Sequence, residues 1–190
     1  MTDKDIFSER GRSLEEEYFR RKDKELIEKM RQAAAADTAR SEMGKRTGLS
    51  DPELLKELEA MGFTPDTVIL LPLVPIIQVA WAEGGISDAE RHLIAKLARA
   101  RGITEGSAAD RQLAEWLAQR PADHVFIYAM RLIRAMLDAP GHGGLSADDL
   151  VKQAESIAAA SGGMLGIIGR ISTEEREILT TLAGQLKGRP

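Results

Sequence analysis

Residues 84–98 read GGISDAERHLIAKLA, and residues 169–183 read GRISTEEREILTTLA. At an offset of 85, Gly84, Ile86, Ser87, Glu90, Arg91, Leu97 and Ala98 recur identically. The opening GGLS is met once more at 143–146. The pattern has a physical meaning. Glycine ends one helix, and a serine oxygen then accepts from the backbone N–H three residues on. The glutamate at that third position reaches back to the serine N–H, closing a capping box. Repetition at a fixed offset points to a duplicated helix–loop–helix unit, or to two helices meeting the same structural demand.

The same signals punctuate the rest of the chain. Ser-x-x-acid spacing recurs at Ser13–Glu16, Ser50–Glu53, Ser107–Asp110 and Ser146–Asp149. Thr64-Pro65 offers another cap with proline in the first turn. Gly62 and Gly102 stand where a helix needs a left-handed stop. Period-2 alternation is almost absent. Helices are predicted at about 13–42, 51–61, 65–71, 73–83, 88–101, 108–119, 122–138, 147–162 and 173–186. Segment 122–138 is apolar around most of its circumference and is expected to lie centrally. The apolar run Val68–Ile77, VILLPLVPII, is interrupted by Pro72 and Pro75. A membrane span needs roughly 20 such residues, so a buried core segment is predicted. The fold class is all-α.

The 190 residues are 43% hydrophobic, 29% charged and 4% aromatic, enough apolar matter for a packed core. Absence of cysteine excludes disulfides, thiolate catalysis and Cys-ligated metal sites. A cytoplasmic location fits, and MTDKDIFSER lacks the apolar core of a secretory signal. A net charge of −4 gives no global pull on nucleic acid. The charge is uneven. Residues 1–46 hold 12 basic and 11 acidic residues, so half of this segment is charged. A boundary with a hinge is expected at Gly44–Ser50, dividing a charged helix over 1–48 from a globular domain over 49–190.

The fuller phrase VAWAEGGISDAER, residues 79–91, resembles the TerB-like family, helical domains associated with tellurite resistance and stress operons. The resemblance covers roughly 65–186. It implies a compact helical bundle with an acidic loop, here carrying a degenerate internal repeat. Glu83 stands where that family usually has Asp, and Glu90 matches the family glutamate. The second copy departs further, with Ile168 in the place of Glu83. Glu83, Asp88 and Glu90 put three carboxylates within eight residues. With Ser87 and loop carbonyls they offer oxygen ligands to a hard divalent cation such as calcium, which takes about six to eight. The spacing is not that of an EF-hand, and a capping box would already occupy Ser87 and Glu90.

Residues 7–26, FSERGRSLEEEYFRRKDKEL, resemble the inhibitory segment of the mitochondrial ATP synthase inhibitor protein. The matching residues, in register without a gap, are Phe7, Arg10, Glu15, Glu16, Tyr18, Phe19 and Arg20, followed by Lys24-Glu25. The family's Gly-rich lead-in and its histidine-rich dimerising coiled coil are missing. The resemblance implies a helix that enters a cleft of the F-type ATP synthase catalytic head. The residues themselves give an interrupted apolar stripe of Leu14, Tyr18, Phe19, Leu26, Ile27, Met30 and Ala33–Ala36. Lys22 and Asp23 break it, which disfavours a long coiled coil. Three of the chain's eight aromatics, Phe7, Tyr18 and Phe19, lie in this charged segment. Aromatics and arginines on an amphipathic helix suit a helix-in-groove ligand. The alternative is that the stripe folds back on the globular domain.

Catalytic signatures are absent from the sequence. His92, His124 and His142 form no i,i+4 ligand pair, and neither a G-x-S-x-G elbow nor a Walker loop occurs. Gly163, Gly166 and Gly169 suit a close helix contact or a turn. Trp81 and Trp116 are expected in the core. The chain is therefore expected to be a non-enzymatic, bacterial regulatory protein binding a partner through residues 7–33. Its partner-binding residues would be Phe7, Arg10, Glu15, Glu16, Tyr18, Phe19, Arg20 and Leu26. Two rival readings are a TerB-like stress-linked or divalent-metal scaffold, and a self-associating helical module.

Overall fold

A computed structural model describes residues 3–139, 145–161 and 171–188, with side chains over 15–139, 145–160 and 171–188. Among these residues there are eight α-helices, one 3-10 helix and no strand. The all-α expectation holds. The chain divides into two units, Met1–Ala39 and Arg40–Pro190.

The first unit is helical and belongs to α1, Asp3–Thr47. Its propensity comes from Ala, Glu, Lys and Arg. Exposed pairs support it: Arg20–Glu16 at 3.9 Å, Lys22–Glu25 at 3.2 Å and Gln32–Glu28 at 3.1 Å. Each such pair is worth a few tenths of a kcal/mol, roughly 0.2–0.5. Ser13 lies inside this helix rather than at its cap, because the helix starts ten residues earlier, at Asp3.

The second unit takes in the last turns of α1. The hinge expected at Gly44–Ser50 is corrected in its first half: α1 runs on to Thr47, and Met43 is 1% exposed. Gly44 has a different purpose. A Cβ there would sit 2.8 Å from the Leu49 carbonyl oxygen, so the glycine permits a close backbone approach. The helix ends where Gly48 takes φ 76° and its N–H bonds the Gly44 carbonyl at 2.8 Å.

Helix α2, Pro52–Ala60, is capped by Asp51, which accepts from the Glu53 N–H at 2.9 Å. Asp51 takes the place expected of Ser50, and Pro52 follows in the first turn. The chain then turns at Thr64–Thr67, where a helix was expected. A 3-10 helix, Val68–Leu73, leads into α3, Val74–Ala80. Pro72 and Pro75 have no N–H to donate, so one continuous α-helix cannot run through this stretch. Leu70, Leu71, Leu73, Ile76, Ile77 and Val79 are fully buried, as the core reading of this run requires.

Four of the remaining five helices carry serine caps. Helix α4, Asp88–Ala100, and α8, Thr173–Lys187, have complete capping boxes from Ser87/Glu90 and Ser172/Glu175. Ser107 caps α5, Ala108–Ala118, and Ser146 reaches the Asp149 N–H of α7, Ala147–Ser161. The exception is α6, Asp123–Asp138, preceded by Ala122. Its expected central position is half right. Phe126, Ala129, Leu132 and Ile133 are buried, but Ile127 is 68% exposed and Tyr128 is exposed too.

The centre is α3, which packs on α6, α7 and α8. The repeat explains part of this. Helices α4 and α8 carry the repeated motif, and taking each with the helix before it pairs α3 with α4 and α7 with α8. The two first helices pack on each other, and each second helix also packs on the first helix of the opposite copy: α4 on α7, α8 on α3. The Gly163, Gly166 and Gly169 motif between α7 and α8 lies outside the described residues. Trp81 and Trp116 are half-buried against the core. Trp81 Nε1 donates to the Trp116 carbonyl at 2.9 Å, and Phe63 meets Trp116 edge-on.

Candidate functional site

Two regions were singled out by sequence, and they differ in kind. On α1, Phe7 and Arg10 belong to the helical backbone. From Glu15 onward the side chains are exposed up to residue 35. Seven large apolar residues are exposed among the described ones, and five of them, Tyr18, Phe19, Leu26, Ile27 and Met30, lie on α1. Ile127 and Tyr128 on α6 are the other two. The five on α1 therefore make the main unburied apolar group among the described residues.

Helix geometry sorts these five. Phe19, Leu26 and Met30 are separated by seven and four residues and share one face. Tyr18 and Ile27 flank it on opposite sides. In either heptad register one alternate core position is charged: Lys22 and Lys29, or Asp23 and Asp37. That is no seam for a coiled coil. The Tyr18 ring stands edge-on to Phe19 at 5.8 Å, with Arg21 and Lys22 each 5.9 Å from its centroid. Glu16 and Arg20 are more than 70% exposed and 3.9 Å apart, so their pairing is weak and easily exchanged for another charge. Aromatic anchors amid exchangeable charges are typical of helices that bind in a groove.

The acidic loop is built differently. Trp81 ends α3, Gly84 turns the chain at φ 81°, and Ser87 opens α4. Glu90 is 2% exposed. Its Oε2 accepts from the Ser87 N–H at 2.8 Å and from the Ser87 hydroxyl at 2.7 Å. Burial pushes the Glu90 carboxyl above its ordinary range. The Ser87 hydrogen bonds oppose that shift, and the charges of Glu175 and Glu83 add to it. Glu83 and Asp88 lie on the exposed side of the loop. Among the described residues no three His, Asp or Glu side chains are grouped so as to hold a metal ion. Glu83, Asp88 and Glu90 are thus not gathered into a cation cradle, because Glu90 turns inward to cap α4.

Sequence reasoning missed how deep these glutamates lie. Glu175, in the second copy, is 1% exposed and accepts from the Ser172 N–H at 2.8 Å. The identical Ser-x-x-Glu at an offset of 85 was the available signal. His92 lies on α4 and His124 on α6, apart from this loop, with His124 edge-on to Tyr128. His142 lies outside the described residues. No helix among the described residues is long and apolar enough to cross a membrane.

No family model matches the chain, and no curated protein sequence or solved structure is significantly similar to it.

Proposed function

We propose that this is a non-enzymatic regulatory protein whose N-terminal helix binds a groove on another protein. The observation that carries the reading is the exposed set Tyr18, Phe19, Leu26, Ile27 and Met30 on a helix otherwise covered in charge. Apolar side chains left in water at this density gain free energy when a partner covers them, roughly 25 cal/mol for each Å² removed from water.

The resemblance of residues 7–26 to the ATP synthase inhibitor segment names the partner as the F-type ATP synthase catalytic head. In that role Tyr18 and Phe19 anchor the helix between moving subunits. Glu15 and Glu16 meet basic groups, while Arg10 and Arg20 meet acidic ones. The wedge opposes rotation and so slows ATP hydrolysis. Residues 40–190 carry the helix as a helical domain of TerB-like character.

The test is ATP hydrolysis by isolated catalytic heads in the presence of the full chain. Inhibition that saturates, and that weakens at least tenfold in Tyr18→Ala/Phe19→Ala, supports the reading. Full hydrolysis at a large molar excess of the wild-type chain rejects this partner.

A further inference from the structure

A cavity of about 740 Å³ lies within the unit 40–190, between the last turn of α1, the 3-10 helix, the end of α4, α6 and the start of α7. Its size falls in the range of small-molecule sites, about 300–1,000 Å³. Val68, Ile69, Pro72, Leu97 and Met136 supply apolar wall. Lys45, Arg46 and Arg101 bring positive charge, and Asp149 is the one carboxylate among the described lining residues.

Arg101 is the unusual member. Lys45 and Arg46 are about half exposed or more and are engaged by Glu42 and Asp66. Arg101 is half-buried, at the C-terminal cap of α4. Its Nη2 donates to Gln153 Oε1 at 2.7 Å, while its Nε is buried with no hydrogen-bond partner. Burial pushes the Arg101 pKa down, and the nearby charge of Asp149 opposes that shift. Yet no carboxylate among the described residues forms an ion pair with Arg101. A guanidinium does not lose its proton to escape burial, so its charge calls for an anion.

The shape of the site then selects that anion. Arg101 lines the cavity with its Nε buried and its Nη2 held by Gln153, so a carboxylate meets the guanidinium through its Nη end. Asp149 disfavours a second negative charge. The aliphatic wall needs a hydrocarbon body. We propose that this cavity binds an amphipathic monoanion, a carboxylate on a single alkyl chain, with its head on Arg101 and its tail against Ile69, Pro72 and Met136.

The test is isothermal titration calorimetry of the full chain with decanoate, kept below its micelle-forming concentration. Acetate and decyltrimethylammonium serve as head-only and charge-reversed controls. The expected result is one saturable decanoate site and none for either control. Arg101→Gln should weaken decanoate at least tenfold. Ile69→Trp, which fills the cavity from a half-buried wall position, should abolish binding while leaving the circular dichroism spectrum unchanged. Absence of saturable decanoate binding to the wild-type chain overturns the proposal, as does equal binding of the cationic control. Undiminished affinity in both variants does the same. If Arg101→Gln does not fold, the wild-type titrations and Ile69→Trp decide alone.

Discussion

Glu90 and Glu175 are the same residue of the two repeat copies, each buried inside its own capping box, and the charge of Glu175 bears on the Glu90 carboxyl. Two carboxylates are thereby withdrawn from water to finish two helix starts. A buried acid must be hydrogen-bonded to be tolerated, and both are, by serine N–H groups. The arrangement makes the stability of the domain depend on pH in an uncommon direction.

The folded state raises the Glu90 pKa, chiefly by burial. Ionising Glu90 therefore costs folding free energy. That cost is absent below the unfolded value, about 4.3, and complete above the folded one. The wild-type chain should gain stability from this group as the pH falls through its raised folded pKa toward the ordinary carboxylate range. Glu90→Gln should remove that component and make the melting temperature flatter over the same range. Asp110, Asp148 and Glu42 behave oppositely, since hydrogen bonds and cations lower their pKa values. Their contribution is lost only at more acid pH, below their ordinary range. Thermal melts of wild type and Glu90→Gln between pH 4.5 and 7.5 check the sign, and parallel curves would contradict it.

The serine caps should each carry a measurable share of stability. Ser87→Ala and Ser172→Ala remove one acceptor apiece and should cost about 1 kcal/mol each in urea unfolding. Because their glutamates interact, Glu90→Gln and Glu175→Gln should combine non-additively, with a coupling of about 0.5 kcal/mol or more in a double-mutant cycle. Strict additivity would mean that the two boxes do not sense each other.

Gly44→Ala should reverse the usual helix trend. Replacing glycine by alanine inside a helix ordinarily stabilises by about 0.5–1 kcal/mol. Here the new methyl meets the Leu49 carbonyl oxygen at 2.8 Å, and backbone must shift. A loss of about 1–3 kcal/mol is expected. A variant as stable as wild type would show that the close approach relaxes freely.

Burial predicts opposite outcomes for two large apolar sites. Leu71 is fully buried, so Leu71→Ala should cost about 2–5 kcal/mol. Tyr18 and Phe19 are 48% and 62% exposed, and Tyr18→Ala/Phe19→Ala should stay within about 0.5 kcal/mol of wild type. Denaturant melts of both variants test this, and the second also certifies that any loss of partner binding is not a loss of fold.

Much of the fold was legible because its signals are local. Serine followed by an acid three residues on, and glycine after an apolar stretch, fix helix ends without knowledge of neighbours. The misreadings came where distant contacts decide. Gly44 resembles a hinge until Leu49 is seen against it. Ile127 and Tyr128 look central until α6 is found to turn them outward. Pro72 and Pro75 were seen, but their effect, a 3-10 segment, is set by the surrounding core. The apolar stripe of α1 was readable from spacing alone, but its exposure was not. Nor was Arg101, since one arginine at a helix end carries no mark of its burial. Only the approach of Gln153, 52 residues away, reveals it.

The exchange of packing between the copies, α4 on α7 and α8 on α3, has a consequence for synthesis. Neither copy can finish its core alone, because α6, α7 and α8, on which α3 packs, all lie downstream of it, α8 last of all. While the ribosome is still making α7 and α8, the apolar surface of Val74–Ala80 is without much of its cover. Domains commonly acquire structure from the N-terminal end as they emerge. This one must wait, and its early segments are natural clients for a chaperone that shields hydrophobic chain until translation is nearly complete.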